Sequence, residues 1–448
     1  MNDSQKRKDI NKKIERCFSI CERPHNMESL YLNINCADAT LMKALLQKTM
    51  FLFFCLPIFF FPLSTAAAGI SGGVFVLLYI MSGYWKNSRD ILTRPWFVPL
   101  TLLILWTLLG TIWSGANPHD TWIAISRLGY FFFAYTGTTL PWNRSRFRMI
   151  PGLFLAGLLL NWIVGLCQWL GIWRWNPLSP SVGPVGYADH IFLSMALTMA
   201  LLWIAYDIRD KVLLPRWANA ILAVAFLLQL GMGAGRTGQL LFVILMPLAV
   251  WVLFRGQWRY WALGGVALTI IGMGMSPIVQ HRVQEGLQNL QVISKGDYDT
   301  SWGLRVLMAE GALHMGLQHP ILGVGTGNYA SEMAQLQKNH ILPDLSSPLI
   351  MSQPQNSYLL ELAMLGIPGL LLLVWFLWAV TALAWRLRAT PEGWFVLVYM
   401  AVFIAGSFSD TLIWGYANVF SLAILAALPI PLAQNGLHGA MTTGHRVA

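Results

Sequence analysis

Charged residues are scarce in this chain. Asp, Glu, Lys and Arg make up 11% of its 448 residues, whereas soluble domains carry about 25%. Hydrophobic residues make up 56% of the chain, and the mean hydropathy is +0.54. This balance excludes an ordinary soluble domain. It predicts an all-α integral membrane protein, because helices satisfy their own backbone hydrogen bonds in lipid.

The sequence also lacks the motifs of several common chemistries. It contains neither an HExxH pair nor a Walker loop, and its five cysteines predict no disulfide framework. The net charge of +10 does not predict nucleic-acid binding, because the basic residues are dispersed in short runs. We therefore expect no metal, no cofactor and no nucleic-acid partner.

Long apolar runs recur along the chain instead. A run of roughly 20 apolar residues spans a bilayer, and the sequence predicts about twelve spans. The predicted spans are 45–62, 66–84, 97–113, 121–139, 149–170, 190–206, 217–232, 238–254, 258–275, 362–385, 393–409 and 413–433.

These spans divide the chain into five regions. The regions are a cytoplasmic and disordered N-terminal tail (1–44), spans one to nine (45–275), a long loop (276–361), the last three spans (362–433) and a cytoplasmic tail (434–448). Met27 or Met42 is an alternative start of the chain.

Basic residues predict which way the spans face. The short loops after the second, fourth, sixth, eighth and tenth spans hold thirteen Lys and Arg residues if Arg259, at the start of the ninth span, is counted with its loop. Those after the first, third, fifth, seventh and eleventh spans hold only Arg174 and Arg236. Cytoplasmic loops carry the excess of positive charge. The sequence therefore predicts cytoplasmic termini and a long loop outside, in the periplasm of a Gram-negative cell.

The long loop is predicted to contain an amphipathic helix of its own. Residues 303–320 place Leu304, Leu307, Met308 and Met315 along one side of this helix. We expect the helix to lie on the membrane surface or to cap a cavity.

Arg236 is one of the few basic residues in the predicted outside loops. It lies in GAGRTGQ (233–239), where glycines allow close backbone approach. The run offers backbone N–H groups, a threonine hydroxyl and a guanidinium at the head of the next helix. This combination favours an anion site, above all for phosphate. The alternative is a tight turn whose arginine reaches the lipid headgroups.

Two more arginines stand at unfavourable positions. Arg305 lies near the start of the loop helix, where a cation opposes the helix dipole. It either binds an anion or forms a salt bridge with Glu310 or Asp299. Arg127 lies within a predicted span, where an arginine normally faces a cavity or a partner. It is either a substrate-binding residue or a structural partner of Asp410.

Acidic and imidazole side chains occur at the same predicted face. Asp410 lies at the outer end of span 393–409, Asp189 and His190 lie at the outer start of span 190–206, and His340 lies on the long loop. A lone residue of this kind is usually only solvated. Arginines, carboxylates and histidines that converge at one membrane face indicate a site.

A polar run leads directly into the tenth span. Gln355-Asn356-Ser357-Tyr358 precedes an apolar helix, and polar groups there are costly unless they are paired or used. Asn356 or Ser357 suits the N-cap of that helix, in addition to any catalytic role.

The energy for a reaction at this face must come from the substrate, since neither ATP nor nucleotide sugars are present outside. The run GVGTGNY (323–329) follows a loop helix and not a strand, so it does not predict a nucleotide site. Polyprenyl-pyrophosphate-linked glycans are present there. Their pyrophosphate is a good leaving group and a natural partner for two arginines.

These residues together resemble the O-antigen ligase and O-antigen polymerase superfamily. The resemblance runs from Arg305 through HPILGVGTGNY (319–329) to PQNSYLLELAMLGIPGLLLLV (354–374), with GAGRTG (233–238) and YADHIF (187–192) as further landmarks. It covers roughly residues 45–430 in all.

The family implies a metal-independent glycosyltransferase of the bacterial inner membrane with its active site facing the periplasm. The donor would be an undecaprenyl-pyrophosphate-linked glycan. In the ligase branch, the acceptor is lipid A–core. By motif position, Arg236 and Arg305 would hold the pyrophosphate. Asn356, Tyr358, His190, Arg127, His340 and Asp410 complete the candidate site residues.

This chain departs from the family at Gln355. The ligase motif begins with His, then Asn or Ser, then nine residues and Gly-x-x-Gly; here Asn356 is followed by nine residues, Gly366 and Gly369. Gln cannot take a proton near pH 7. Three interpretations remain open: chemistry driven by the leaving group and the arginines, a base supplied by Asp410 or His340, or an inactive relative.

Other functions also fit parts of the pattern. A polymerase of the same superfamily would use a second lipid-linked glycan as its acceptor, and a protein O-oligosaccharyltransferase is a third member of this class. A secondary transporter fits the span count. However, the long loop before the tenth span breaks the two-fold symmetry of such folds.

Overall fold

The computed structural model describes residues 27–172, 184–275, 277–293, 298–343 and 353–428. The predicted all-α class is confirmed for this part of the chain, which contains no β-strand. Its α-helices, numbered in chain order, are α1 (Met27–Phe60), α2 (Thr65–Ser82), α3 (Phe97–Leu109), α4 (Pro118–Leu128), α5 (Phe132–Thr138), α6 (Arg144–Trp169), α7 (His190–Asp210), α8 (Arg216–Met232), α9 (Arg236–Leu253), α10 (Gln257–Gly274), α11 (Pro277–Ile293), α12 (Ser301–Gln318), α13 (Tyr329–Lys338), α14 (Ser357–Arg386), α15 (Pro391–Gly406) and α16 (Tyr416–Ala426).

Five of these helices, α2, α6, α7, α9 and α14, are long and apolar enough to cross a membrane. Shorter apolar helices include α3, α8, α15, α16 and the part of α1 from Ala44 to Phe60. The length and composition of these helices indicate a multi-pass membrane protein. The count of twelve spans and their orientation stay predictions.

The predicted span 121–139 is not one helix. It divides into α4, a 3-10 segment at Gly129–Phe131, and α5. Asn117 caps α4 one turn earlier than predicted, because its side chain accepts a hydrogen bond from the backbone N–H of Asp120 at 2.9 Å.

The first helix also begins earlier than the predicted boundary. α1 starts at Met27, inside the segment that the sequence assigns to a disordered tail. No glycine or proline occurs between Met27 and Pro57, so nothing local ends the helix before the apolar part. Residues 1–26 and the predicted C-terminal tail (434–448) lie outside the described residues.

The middle of the bundle is α7, a mostly buried helix that packs against α8, α9 and α15. Its Trp203 stacks on Tyr206 with ring centroids 5.5 Å apart and meets Phe395 of α15 edge-on at 5.1 Å. We call the end at which α7, α9 and α14 begin the site end. The end at which α8 and α10 begin is the opposite end.

Helix α14 is kinked at Gly366, whose φ of 68° and ψ of −167° are not helical. The backbone groups freed by the kink find partners elsewhere. Trp106 Nε1 donates to the carbonyl of Leu365 at 2.9 Å, and the N–H of Ile367 donates to the carbonyl of Pro320 at 2.7 Å. The Gly366 and Gly369 spacing in the sequence therefore has a structural role.

The predicted loop helix 303–320 is present as α12, which Thr300 caps. Leu307, Ala312 and Met315 are buried, and α12 packs against α14. The apolar side predicted from the sequence thus faces the bundle.

Candidate functional site

Two glycines bring the start of α9 against the start of α7. A Cβ on Gly235 or Gly238 would collide with Ser194, so neither position has room for a side chain. The backbone N–H of Gly238 donates to Ser194 Oγ at 3.2 Å. The GAGRTG run therefore packs directly beside His190, the first residue of α7.

The QNSY run is bonded to the connection between α15 and α16. Asn356 caps α14, since its Oδ1 accepts hydrogen bonds from the N–H groups of Tyr358 and Leu359 at 2.9 and 3.0 Å. Its Nδ2 donates to the carbonyl of Phe408 at 3.1 Å. Ser357 Oγ donates to the carbonyl of Asp410 at 3.3 Å. The polar side chains that precede the span thus position the Asp410 backbone.

One more hydrogen bond joins these two regions. Thr237 Oγ1 lies 3.0 Å from Ser409 Oγ, so the residue after Arg236 touches the residue before Asp410. The structure therefore brings together three motifs that are about 50 to 170 residues apart in the chain.

Asp410 is a half-buried carboxylate at this junction. Burial raises the pKa of its carboxyl above the usual value, and the negative charge of Asp189 raises it further. The hydrogen bond from the N–H of Thr411 and the positive charges of Arg305 and His190 oppose this shift without cancelling it. Asp410 thus keeps a proton to a higher pH than an exposed aspartate.

Asp189 is a contrasting carboxylate beside it. Asp189 is exposed at the cavity, and its partial desolvation raises its pKa, but the interaction with His190 and the hydrogen bonds from the backbone N–H groups of Phe192 and Ile191 outweigh this effect and leave the pKa below the usual value. Asp189 Oδ1 lies 3.4 Å from Nδ1 of His190. The site thus holds two carboxyls whose pKa values are shifted in opposite directions.

An open cavity, here called the polar cavity, contains several of these groups. It includes about 1240 Å³ of empty space, part of it open to solvent, and Arg127, Asp189 and Asp410 line it. Arg127 Nε is buried without a hydrogen-bond partner among the described residues, as is Gln353 Oε1 on another wall. The side chains of the cavity lining thus include two polar atoms whose hydrogen bonding is unsatisfied within the described residues.

A second cavity, here called the apolar cavity, continues from the polar one. It includes about 560 Å³ of empty space and shares Phe61, Phe192 and Asn418 with the polar cavity. Its lining is almost entirely hydrophobic. Together the two cavities suit a ligand with one charged end and one apolar end.

The two arginines predicted to hold the pyrophosphate, here called the clamp arginines, have different surroundings. Arg236 Nη2 lies 3.0 Å from Glu285 Oε2 on α11. Arg305 acts electrostatically on Asp410 but forms no ion pair with Glu310 or with any other carboxylate that the structure describes. The salt-bridge alternative for Arg305 is therefore wrong within these residues.

Gln355 lies in the left-handed region, with φ of 51°, which is uncommon for a residue other than glycine. Its side chain is half-buried and makes no hydrogen bond to any described residue. Backbone strain of this kind clusters at functional sites.

Two other candidates do not present free polar groups at the cavity. The Tyr358 hydroxyl donates to the carbonyl of Ile404 at 2.9 Å, and its ring packs on Phe408. His340 lies after α13 with φ of 55°, and it is not among the residues that line the polar cavity.

Arg127 forms no ion pair with Asp410, the structural partner considered above, although both line this cavity.

The glycine run 323–329 is a structural loop. The N–H groups of Val324 and Gly325 donate to carbonyls of α14 at 2.9 Å, and that of Thr326 donates to the carbonyl of Gly110 at 3.1 Å. Since these N–H donors already have backbone partners, they do not form a phosphate cradle. This agrees with the prediction that the run is not a nucleotide site.

The sequence also contains a feature that argues against metal independence. Asp297 and Asp299 form an acidic pair of the DxD type in the long loop. Asp297 lies outside the described residues. Within the described ranges, no group of three or more His, Cys, Asp or Glu is placed to hold a metal ion.

Comparison with known families matches residues 220–374 to the model described as O-antigen ligase. The matched stretch contains Arg236, Arg305, His340 and the QNSY run, whereas Arg127, His190 and Asp410 lie outside it. No curated protein matches the chain. The superfamily resemblance that the sequence indicates is confirmed over this stretch.

Proposed function

Because residues 220–374 match the family model described as O-antigen ligase, we propose that the chain is a membrane glycosyltransferase that uses an undecaprenyl-pyrophosphate-linked glycan as donor. The acceptor is lipid A–core, and the site faces the periplasm of the inner membrane. The observation that carries the proposal is the junction beside the polar cavity, where Thr237, the neighbour of Arg236, contacts Ser409 and the charge of Arg305 acts on Asp410, which lines the cavity.

The donor fits the two cavities by its chemistry. Its pyrophosphate is anionic, and Arg127, with a buried nitrogen that lacks a partner, lines the polar cavity near Asp410. The first isoprene units of its polyprenyl chain are apolar and suit the lining of the apolar cavity, which shares Phe61 and Phe192 with the polar cavity. Arg236 and Arg305 stabilise the negative charge that develops on the leaving pyrophosphate.

The acceptor hydroxyl requires a group that takes its proton. In this proposal Asp410 is that base, because it is half-buried at the junction, lines the polar cavity and has a raised pKa. Gln355 replaces the family histidine and orients the acceptor by hydrogen bonds alone. Transfer forms the new glycosidic bond and breaks the bond from the sugar to the pyrophosphate, while the acceptor proton moves to Asp410.

A polymerase is the second candidate, and Gln355 is the observation that favours it. The ligase motif has His at this position, so its loss weakens the ligase assignment in particular. A polymerase would have the same donor and the same arginines, but a second lipid-linked glycan would be its acceptor.

Reconstitution distinguishes these functions. The purified chain is mixed with undecaprenyl-pyrophosphate-linked glycan and lipid A–core in detergent. Glycan on lipid A–core is the expected product, whereas a ladder of longer glycans on the polyprenyl lipid would assign a polymerase. Flux of a solute without any glycan product would favour a transporter instead.

Arginine variants test the clamp in the same assay. Arg236→Ala and Arg305→Ala should each abolish transfer while the protein elutes normally from a sizing column. Arg388→Ala, which changes an exposed arginine at the opposite end, is the matched control. Full activity of either clamp variant contradicts the proposal.

EDTA should have no effect, and inhibition by EDTA would instead implicate the acidic pair of the long loop.

A further inference from the structure

A large cleft lies at the opposite end of the bundle, remote from the candidate site. It includes about 2140 Å³ of empty space, part of it open to the surroundings, between α7, α8, α9 and α10. The residue of α7 that lines the cleft nearest to the site end is Leu201, eleven residues after His190, or about 16 Å along the helix at 1.5 Å per residue.

The cleft is open because α10 packs loosely against the bundle. Among the residues of α10, Val266 alone is buried, and α9 is its main neighbour. Gly265 also lines the cleft, and a Cβ at this position would meet no atom within 4 Å. In a bilayer, space of this kind between two apolar helices is accessible to acyl chains.

Positive charge is concentrated at the mouth of the cleft. Its charged lining residues are Arg209, Arg216 and Arg255. Arg209 pairs with Asp210 at 2.6 Å. Neither Arg216 nor Arg255 forms an ion pair with any residue that the structure describes. Arg216 Nε donates to the carbonyl of Ile208 at 3.1 Å, so these two arginines have no carboxylate partner among the described residues and keep a net positive charge at the mouth.

Tryptophans lie beside these arginines. Trp258 and Trp261 line the cleft near the start of α10 and are 68% and 76% exposed. Exposed tryptophan is typical of the membrane–water interface. The mouth of the cleft is thus placed at headgroup depth and its apolar walls at acyl-chain depth.

From this geometry we propose that the cleft binds an anionic phospholipid. The headgroup phosphate lies between Arg216 and Arg255, and the acyl chains lie along the apolar walls of α8, α9 and α10. Basic pockets between membrane helices bind anionic headgroups in this way. The site is separate from the transfer site, so it does not depend on the proposed glycosyltransferase function.

Native mass spectrometry of the full-length chain tests the proposal. The purified protein is titrated with palmitoyl-oleoyl phosphatidylglycerol or with phosphatidylcholine of the same acyl chains. Since the two lipids differ in headgroup charge, tighter binding of phosphatidylglycerol is the expected result. Equal affinity for the two lipids overturns the proposal.

Two variants locate the binding site. The double variant Arg216→Gln/Arg255→Gln should bind phosphatidylglycerol about 25-fold more weakly, at roughly 5-fold per arginine. The control is Arg386→Gln/Arg388→Gln, which removes the same charge from exposed arginines at the same end of the bundle. An equal loss in the control overturns the assignment to this cleft.

Gly265→Trp tests the walls of the cleft without changing its charge. Gly265 lies on α10, and a side chain added there extends into the open space of the cleft. The tryptophan should weaken binding of both lipids by occupying the site of their acyl chains. Unchanged phosphatidylglycerol binding by this variant would show that the lipid lies elsewhere. Circular dichroism confirms that each variant keeps its helical content.

Discussion

At the scale of single residues, Asp410 sets the pH dependence of the proposed reaction. Its folded pKa is raised by burial and by Asp189, so the protonated form persists to a higher pH than for an exposed aspartate. The base must be deprotonated. We therefore expect kcat/KM for transfer to fall as the pH drops through this raised pKa, above the ordinary value of about 3.9.

The variant Asp410→Asn supplies the control for this prediction. It keeps the shape of the side chain but cannot accept the proton, so transfer should fall about 10²–10⁴-fold and the acidic limb of the pH profile should disappear. An unaltered acidic limb in this variant would assign the titration to another group.

Gln355→His should raise the rate of transfer. His is among the residues enriched in the left-handed region, so it suits the φ of 51° at this position. The imidazole would add a base with a pKa of about 6.5 beside the acceptor. The test compares the initial transfer rates of the native protein and of Gln355→His at pH 8, with Gln355→Asn as the uncharged control. An equal rate would leave Asp410 as the sole base.

Glu285→Gln should strengthen donor binding. The Glu285 carboxylate pairs with Arg236, where it competes with the pyrophosphate for the same guanidinium. A partly exposed ion pair contributes about 0–1 kcal/mol, so we expect the donor KM to fall by up to about 5-fold. A donor KM that stays the same or rises would mean that Glu285 holds Arg236 in its working position.

Sequence patterns identify some of these residues and miss others. The sequence draws attention to Arg236 and Arg305, because arginine is uncommon in outside loops, and to Asp410 at the end of a span. Glu285 is 49 residues from its partner, and such a pair leaves no local pattern. Gln353 precedes the recognisable motif, and only the folded chain shows that it lines the polar cavity.

At the scale of helices and loops, the kink in α14 is the feature most sensitive to substitution. Gly366→Ala places a side chain in a region of φ and ψ that glycine alone adopts readily, at a cost of about 1–3 kcal/mol. The added Cβ would also lie 2.6 Å from the carbonyl oxygen of Ile321. We expect a lower melting temperature by differential scanning fluorimetry.

Gly264→Ala is the matched control for the kink. Gly264 lies in α10, and no atom lies within 4 Å of an added Cβ. Alanine stabilises the middle of a helix relative to glycine. The melting temperature of this variant should therefore stay the same or rise. A similar fall in both variants would show that the kink has no special sensitivity.

Helix boundaries follow from the sequence where capping groups and apolar periodicity agree. The predicted loop helix 303–320 is α12, with Ser301 and Gln318 as its ends. The predicted span 121–139 is wrong as one helix, because Gly129 lies in a 3-10 segment between α4 and α5. A hydropathy average cannot detect such a break inside an apolar run.

At the scale of the whole molecule, the orientation in the membrane is testable by cysteine labelling. The distribution of Lys and Arg predicts that the connection before α6 is cytoplasmic and that the long loop is outside. Ser145→Cys and Asn339→Cys place single thiols at exposed positions in these two regions, after the five native cysteines are replaced. A membrane-impermeant maleimide should label intact spheroplasts at 339 and not at 145.

The reverse labelling pattern would place the candidate site in the cytoplasm and contradict the proposed donor. Lysis before labelling is the control, since it should expose both thiols equally.

The convergence of the motifs is a property of the whole fold that the sequence indicates only in part. A shared membrane face is predictable from the alternation of charged loops. The contact between Thr237 and Ser409 depends on how α7, α9 and α15 pack. That packing depends on glycines such as Gly238, whose need for a close approach is evident only beside Ser194.

The hydrogen bonds around the α14 kink also have a consequence for protein engineering. Residues 320–325 and 363–367 are bonded to each other through their backbones, and the joint is bonded to the end of α3 at Trp106 and Gly110, so the long loop and the start of the following helix should be exchanged together and with that end of α3 conserved. A chimaera that grafts the loop of a relative without its helix should misassemble. A graft of residues 298–369 as a unit should keep the joint intact, and it offers a route to transferring acceptor choice between relatives.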